Sequence, residues 1–299
     1  MSATGDSQAA VVVAAHGRRG RLQAAGAAEH PYVVRGRRLR VVCGDRVQWQ
    51  PGLHSEVTVI AIEPRNNSLR RLDTTTNKTE VLAANLSLVA VVCAVEPQPD
   101  WFVLDRYLCA AADMGAGAVI VVNKSDLGRP NASELEAYRT AGYRVLEVSA
   151  RTGQGLDELA ATFDGETGIL VGQSGAGKSS LINRLVPGVD VSTGALTRGT
   201  AEGRHTTTAS VMHALPGGGR LIDAPGVRDF LPAIDDDRAV QVGFAEILAA
   251  AAQCRFGDCR HMREPGCAVK SKVQDGTISE RRYESYRRLL RSTQSAASH

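Results

Sequence analysis

Residues 168–185 read GILVGQSGAGKSSLINRL, and this stretch decides the fold of the region around it. The apolar run at residues 168–171 predicts a buried strand, and residues 179–185 have the apolar spacing of an amphipathic helix. The loop between them matches the pattern G-x-x-x-x-G-K-[ST] in full. Its glycines let backbone N–H groups converge on phosphate oxygens at a helix N-terminus. We therefore expect a nucleoside phosphate site on an α/β fold.

The loop supplies a set of candidate nucleotide-binding residues. They are Gly172, Gln173, Ser174, Gly175, Ala176, Gly177, Lys178, Ser179 and Ser180. The Lys178 ammonium is the expected catalytic cation on the β- and γ-phosphates, and the Ser179 hydroxyl is the expected Mg²⁺ ligand.

A second motif indicates which base is bound. Asn123, Lys124 and Asp126 directly follow the predicted strand at residues 118–122, at the carboxyl end where α/β sheets bind ligands. The Asp126 carboxylate matches the paired N1–H and N2–H₂ donors of guanine, which adenine lacks. Asn123 is expected to tie this loop to the phosphate loop. Ser149 and Ala150, past the next strand, offer a backbone N–H to guanine O6.

Residues 223–226 (DAPG) end another short strand, which places Asp223 near Mg²⁺ and the Gly226 N–H near the γ-phosphate. Upstream, residues 203–208 (GRHTTT) end a segment rich in Gly, Ser and Thr. One of Thr206, Thr207 and Thr208 is expected to close on Mg²⁺ when GTP is bound; an edge strand is the alternative for this triplet.

The order of these elements along the chain is unusual. The guanine-reading loops precede the phosphate loop, so the five elements of a Ras-like GTPase are all present but circularly permuted. Ras-like proteins place a water-orienting Gln after the DxxG glycine, where this chain has Val227. His205 is the candidate to replace that Gln, and a surface histidine without a role is the alternative.

The flanking regions differ from this α/β pattern. Short Val- and Tyr-rich runs at 10–14, 32–34, 39–42, 46–50 and 56–62, separated by turn signals, predict a small barrel. An oligonucleotide-binding fold suits five short strands, and an SH3-like barrel would give a similar string. We expect three domains: a barrel at 1–72, a GTPase domain at 73–240, and a small helical zinc domain with a basic C-terminal helix at 241–299.

Composition and charge narrow the function classes. The 299 residues are 43% hydrophobic and 22% charged, which excludes wholesale disorder and a fibrous repeat. No apolar run is long enough to predict a membrane span. Residues 1–72 carry 11 Lys and Arg against 5 Asp and Glu, and residues 254–299 carry 10 against 5. Two basic ends around an acidic middle indicate contact with a polyanion; a solvated basic surface is the alternative.

Three of the six cysteines crowd together near the C-terminus with one histidine. Cys254, Cys259, His261 and Cys267 match the ligand set of a closed, structural zinc site, with unpaired thiols as the alternative. This cysteine usage also indicates a reducing compartment, and we expect the cytoplasm.

Taken together, these motifs resemble the bacterial ribosome small subunit-dependent GTPase A family. The resemblance rests on residues 172–179, 203–208 and 223–226, the cysteine cluster, the permuted order and residues 105–108 (DRYL). The resemblance implies an oligonucleotide-binding barrel, a permuted GTPase domain and a zinc domain. It also implies binding to the 30S subunit and its 16S rRNA, GTP hydrolysis to GDP stimulated by that subunit, and a part in late 30S maturation. By the same resemblance His205 is catalytic and Thr207 is the Mg²⁺ ligand.

We expect a monomer that contacts no membrane. Two other functions remain open at this point. One is an RNA-binding assembly factor that uses GTP only as a conformational ligand, which Val227 favours modestly. The other is a different permuted GTPase, acting on the large subunit or in membrane-linked regulation, against which the barrel and the zinc cluster argue.

Overall fold

The structure, a computed structural model, describes residues 8–35, 38–52, 56–73, 78–191, 210–224, 232–234 and 237–297. Within these ranges a barrel is followed by an α/β region and then by a group of helices. None of the helices in these ranges combines the length and the apolar character that crossing a membrane requires.

The first region is a closed barrel of five strands. They are β1 (Gln8–His16), β2 (Arg19–Gln23), β3 (Glu29–Val34), β4 (Arg46–Pro51) and β5 (Val57–Ile62). They neighbour one another in the order β1-β2-β3-β5-β4, and β4 pairs back with β1. The barrel interior is filled by residues that are at most 1% exposed: Val12, Leu22, Tyr32, Val47 and Val59. The predicted oligonucleotide-binding barrel is thereby confirmed as a closed five-stranded fold.

One predicted strand, residues 39–42, is wrong, and β2 takes its place in the barrel. In this loop the Val42 N–H donates to the Asp45 carboxylate at 2.9 Å, so a side chain satisfies a group that a neighbouring strand would otherwise bond. In the sequence, the arginines of β2 look like residues of a turn and not of a strand. They are exposed on the barrel surface, while Leu22 between β2's polar residues fills the interior.

The second region is an α/β sheet, as the alternating pattern predicted. Its strands are β8 (Leu88–Ala94), β9 (Gly117–Asn123), β10 (Arg144–Glu147), β11 (Thr167–Gly172), β12 (Ser210–Ala214) and β13 (Arg220–Asp223). The order is β10-β9-β8-β11-β13-β12, and all neighbours are parallel except the β12–β13 hairpin. The helices of this region are α1 (Trp101–Asp113), α2 (Ala132–Thr140), α3 (Leu156–Thr162) and α4 (Lys178–Leu185). Every residue of β8 is buried, since β8 lies between two strands at the centre of the sheet.

The barrel and the α/β sheet are continuous through hydrogen bonds. Ala14 and Ala15 of β1 pair with Val211 and Ser210 of β12, so the two regions form one sheet of eleven strands. Between the regions lies a hairpin of β6 (Ser68–Asp73) and β7 (Lys78–Ala84). The domain boundary expected after residue 72 falls inside this hairpin.

The third region contains α5 (Asp237–Val242), α6 (Ala245–Ala251), α7 (Ala268–Gln274) and α8 (Glu280–Ala297). The chain passes from α5 to α6 through Gly243 and Phe244, the N-cap of α6. A Cβ at Gly243 would lie 2.5 Å from the Cα of Cys109, so only glycine permits this approach of α1. The predicted basic C-terminal helix is confirmed as α8.

A buried ionic cluster joins α8 to the α/β region. The Asp105 carboxylate on α1 is inaccessible to solvent and accepts hydrogen bonds from Arg281, Arg282 and the Tyr138 hydroxyl, each at 2.7 Å. The Arg282 guanidinium, 1% exposed, also makes two hydrogen bonds to the Glu246 carboxylate of α6. Removing charges from water is costly, so this cluster stabilises the fold only while every member keeps its partners.

We therefore predict that Asp105→Asn lowers the free energy of unfolding by about 3 kcal/mol, because two buried guanidinium groups lose the charge that they share. Urea unfolding at neutral pH measures this difference. Glu284→Gln on α8 is the control, because Glu284 pairs with Arg287 at the surface and its loss costs about 0.5 kcal/mol or less. Equal effects of the two substitutions would contradict the prediction.

Candidate functional site

The candidate site lies along the carboxyl edge of the parallel strands. Residues 123–126 follow β9, residues 149–150 follow β10, the phosphate loop joins β11 to α4, and Asp223 ends β13. The chain leaves β8 toward β9 on one side and later adds β11 on the other, so a topological switch point lies between β8 and β11. Open α/β sheets bind ligands at such a point. The structure thus brings the sequence-predicted loops to one place.

The phosphate loop depends on its glycines. Gly172, Gly175 and Gly177 have φ values of 131°, 75° and 91°, which residues other than glycine rarely adopt. A Cβ at Gly172 would lie 2.0 Å from the carbonyl oxygen of Val92, and a Cβ at Gly177 would lie 2.3 Å from Asn123 Nδ2. The loop ends at Gly177 as the N-cap of α4, so the N-terminus of α4 faces the loop. This arrangement suits an anion.

Lys178 is held inside the phosphate loop. Its ammonium donates to the carbonyl oxygens of Gly172 at 2.6 Å and Gln173 at 2.8 Å, and the residue is 8% exposed. Ser179 and Ser180 follow in the first turn of α4 and are half-buried, whereas Ser174 and Gly175 are exposed and Ala176 is buried. The positive charge therefore lies within the loop that the sequence assigned to phosphate.

Asn123 joins three loops through one buried amide. Its Nδ2 donates to the carbonyl oxygen of Ala176 at 2.9 Å, and its Oδ1 accepts from the Ala150 N–H at 3.1 Å. The predicted link between Asn123 and the phosphate loop is confirmed by this contact. The Ala150 N–H, which the sequence assigned to guanine O6, donates to Asn123 Oδ1 in this structure, so a bond to a base has to share or replace this contact.

Asp126 is fixed as an ionised acceptor. One carboxylate oxygen accepts from the Ser149 hydroxyl at 2.5 Å, and the other accepts from Arg151 at 2.7 and 2.9 Å. The hydrogen bond from Ser149 and then that from Arg151 lower the pKa of Asp126. The oxygen bonded to Ser149 retains one lone pair, whereas both lone pairs of the other oxygen are used by Arg151. To accept from paired donors on a base, the carboxylate has to give up an Arg151 contact.

The structure places Asp223 at the carboxyl end of β13, next to β11 and the phosphate loop. It is half-buried. Three other sequence-predicted residues, His205, Thr207 and Gly226, lie outside the described residues. Of the expected Mg²⁺ ligands, Ser179 and Asp223 are thus the two that the described residues include.

Sequence reasoning missed the side-chain role of Gln173. Its amide makes hydrogen bonds to the backbone of Pro97, Gln98 and Asp100, residues that follow β8. No local pattern marks a contact between residues more than seventy positions apart. The motif itself specifies the glycines, the lysine and the serine and leaves this position open.

The cysteine cluster forms a compact group of potential metal ligands. The ligand atoms of Cys254, Cys259, His261 and Cys267 all lie within 4.8 Å of one another. His261 Nδ1 is 3.5 Å from both Cys254 Sγ and Cys267 Sγ, and these two sulfurs are 4.0 Å apart. Tetrahedral zinc with ordinary bond lengths separates sulfur from nitrogen by about 3.6 Å and sulfur from sulfur by about 3.8 Å. The residues therefore fit zinc.

The polypeptide around the cluster shifts the thiol pKa values in different directions and fixes the loop that carries His261. Burial raises the pKa of the Cys254 thiol, but hydrogen bonds from the Val269 and Ala268 N–H groups and from Cys259 and Cys267 together make the net shift downward. Burial raises the pKa of the Cys259 thiol to about 12. The Glu264 carboxylate accepts from the N–H groups of Arg260, Met262 and Arg263 at 2.8–3.0 Å. Partial burial by itself would raise the pKa of Glu264, but these bonds lower it to about 2. The same bonds shape the loop that carries His261.

Comparison with known proteins supplies the family context. A sequence model described as RsgA GTPase matches residues 62–231. A small ribosomal subunit biogenesis GTPase RsgA from Azotobacter vinelandii is 44% identical over 257 residues, covering 84% of this chain and 75% of that protein. The protein of the same name from Pseudomonas aeruginosa strain LESB58 is 43% identical over 258 residues, covering 84% of this chain and 76% of that protein.

Two solved structures resemble the whole fold. YjeQ from Thermotoga maritima superposes with a TM-score of 0.75 and 28% identity, over 96% of this chain and 99% of that chain. YloQ, described as a circularly permuted GTPase, gives a TM-score of 0.73 over 99% of this chain and 98% of that chain. At 22% identity YloQ supports the fold alone.

The Asn123 bridge generates a prediction. Asn123→Asp replaces the donor to the Ala176 carbonyl with a buried acceptor, so we expect a loss of about 2 kcal/mol in stability and weaker binding of a fluorescent GDP analogue. Thermal unfolding and fluorescence titration measure the two effects. Asn131→Asp is the matched control, because Asn131 caps α2 at the surface through its side-chain oxygen, which aspartate also provides. A variant as stable as the control would refute the bridging role.

Proposed function

The chain belongs to the RsgA GTPase family, and from this premise we propose that it hydrolyses GTP to GDP and phosphate while bound to the small ribosomal subunit. The observation that carries the proposal is the Asn123 amide, which joins the phosphate loop to the loop after β10 at the switch point of the sheet. These two hydrogen bonds support the proposal because they join the loops that are proposed to bind base and phosphate. A nucleoside di- or triphosphate spans such a pair of loops.

The proposed guanine contacts follow from donor and acceptor types. The Asp126 carboxylate accepts from N1–H and N2–H₂, the Lys124 side chain lies along the base, and the Ala150 N–H donates to O6 with Ser149 holding Asp126 in place. Adenine would leave the carboxylate unpaired, so guanine is favoured.

The proposed phosphate contacts use the backbone of residues 172–180, with Lys178 as the cation on the β- and γ-phosphates and the Gly226 N–H on the γ-phosphate. Ser179, Thr207 and Asp223 are the proposed residues around Mg²⁺. When bound, the metal ion would neutralise the charge that develops on the phosphate oxygens.

The proposed hydrolytic group is His205. The residue after the DxxG glycine is Val227, whose apolar side chain cannot orient a water molecule, so another side chain has to do so. Support for His205 comes from its place beside the Thr triplet in the sequence and from the family resemblance. Hydrolysis would then depend on the subunit to bring this group to the phosphate.

The proposed partner is the 16S rRNA of the small subunit. The relatives from Azotobacter and Pseudomonas carry the name small ribosomal subunit biogenesis GTPase. In this chain positive charge is concentrated at both ends, on the barrel and on α8. Exposed basic residues on these two elements include Arg19, Arg21, Arg46, Arg288 and Arg291. Arginines of this kind bind phosphates with little regard to sequence.

Zinc is the proposed structural ion of Cys254, Cys259, His261 and Cys267. All four positions of a tetrahedral ion are filled by protein atoms, which suits stabilisation of the C-terminal region and leaves no position for a catalytic water. We further propose domain limits of 1–72, 73–240 and 241–299, a monomer, and a location in the cytoplasm, where the thiols stay reduced.

The proposed activity predicts that phosphate release from GTP is slow alone and rises on the order of 10²–10⁴-fold with 30S subunits, while 50S subunits and ATP give no such rise. A malachite green or labelled-phosphate assay measures it. Subunit affinity should also fall steeply with added salt. Tight GTP binding without release in the presence of 30S would instead support the assembly factor that uses GTP only as a conformational ligand.

The proposed metal site predicts one zinc per chain by elemental mass spectrometry, with the content of Cys259→Ala falling well below one and its C-terminal region unfolding more readily. Cys109→Ala is the matched control, because this thiol is buried against Ala239 on the side of α1 and should leave the zinc content at one. Equal zinc content in the two variants would argue against the cluster as the ligand set.

A further inference from the structure

The side chain of Gln173 bonds to backbone groups that lie outside the phosphate loop. Its Oε1 accepts from the Asp100 N–H at 2.7 Å. Its Nε2 donates to the carbonyl oxygens of Pro97 at 3.3 Å and Gln98 at 2.8 Å. A primary amide has two N–H donors, and both are used in these contacts. The Gln173 side chain therefore has no donor left for a phosphate oxygen.

The three contacts fix one short segment. Residues 96–98, between β8 and α1, are exposed, so the segment has no core packing of its own to hold it. Gln173 bonds to three backbone groups of this segment and of the first residues that follow it. Pro97 in turn lies against the phosphate loop, since a Cβ at Gly175 would come within 3.3 Å of Pro97 Cδ.

The same segment holds the lysine of the base-reading loop. The Lys124 ammonium donates to the carbonyl oxygen of Glu96 at 2.5 Å, and the Val95 N–H donates to the carbonyl oxygen of Asn123 at 3.3 Å. Lys124 has a φ of 59°, a left-handed conformation that is unfavourable for lysine by itself. The Glu96 carbonyl therefore fixes the direction of the side chain that is proposed to lie along guanine.

We propose that Gln173 is a positioning residue for the guanine base, acting through the segment at residues 96–98 and Lys124. This inference rests on the proposed function, because it assumes that the loop at residues 123–126 binds guanine. The phosphate loop then has two tasks: its backbone binds phosphate, while the Gln173 side chain aligns the base-reading lysine. Loss of the side chain should weaken the binding of every guanine nucleotide by the same factor, whatever its number of phosphates.

The test measures GDP and GTP affinity by fluorescence titration and GDP release rates by stopped flow, which stay measurable for weak binders. Gln173→Ala should weaken GDP and GTP alike, by about tenfold, the equivalent of one or two lost hydrogen bonds. Gln173→Glu should bind both nucleotides no more tightly than Gln173→Ala, because its carboxylate would face the carbonyl oxygens of Pro97 and Gln98. Gln253→Ala, which alters an exposed glutamine in the turn after α6, is the control and should bind both nucleotides as wild type does.

A double-substitution cycle with Lys124→Ala separates positioning from a general structural role. If Gln173 acts through Lys124, Gln173→Ala should change the GDP release rate by less than about twofold once Lys124 is absent. Additive effects, or a loss confined to GTP, would overturn the inference. Wild-type protein that binds no guanine nucleotide would instead refute the proposed function, so the two failures are distinguishable.

Discussion

The carboxylate of Asp105 is the constraint on which the arrangement of the regions depends. It is buried on α1 without access to water, so its charge has to be balanced by protein groups. Two consecutive arginines of α8 supply that balance, and the second of them extends to Glu246 on α6. The C-terminal helices therefore pack against α1. Because Gln173 binds Asp100, the N-cap of α1, a single helix connects the phosphate loop with the region that carries the cysteine cluster.

Most of the α/β region could be predicted from the sequence because its signals are local. The fully buried strand β8 is a run of apolar residues, and the phosphate loop lies between a strand and an amphipathic helix. Predictions failed where a tertiary contact decides. Residues 39–42 have the composition of a strand, yet side chains satisfy their backbone. The break between α5 and α6 likewise depends on a tertiary contact, because Gly243 lies directly against α1.

The candidate site likewise has parts that the sequence predicts and parts that it does not. The three cysteines and the histidine of the cluster occur within fourteen residues, so their spacing alone predicts a metal site. The loop residues 123–126 and 172–179 are recognisable motifs, and the sheet brings them together because both follow parallel strands. By contrast, the hydrogen bonds of the Gln173 side chain join residues that are 73 to 76 positions apart in the chain. The Arg282–Asp105 pair joins residues that are 177 positions apart. Contacts over such separations are set by the packed fold and leave no periodicity in the chain.

The continuity of β1 with β12 bears on how the molecule can be divided. One edge of β1 closes the barrel against β4 through Gln8–Val11 and then, farther along, pairs with β12 through Ala14 and Ala15. A fragment that starts after the barrel would leave that edge of β12 without these hydrogen bonds, and a free strand edge is a template for association between chains. The barrel thus also acts as a cover for the α/β sheet. Soluble expression of the GTPase region by itself would call for a redesigned β12 with a charged or proline-containing edge.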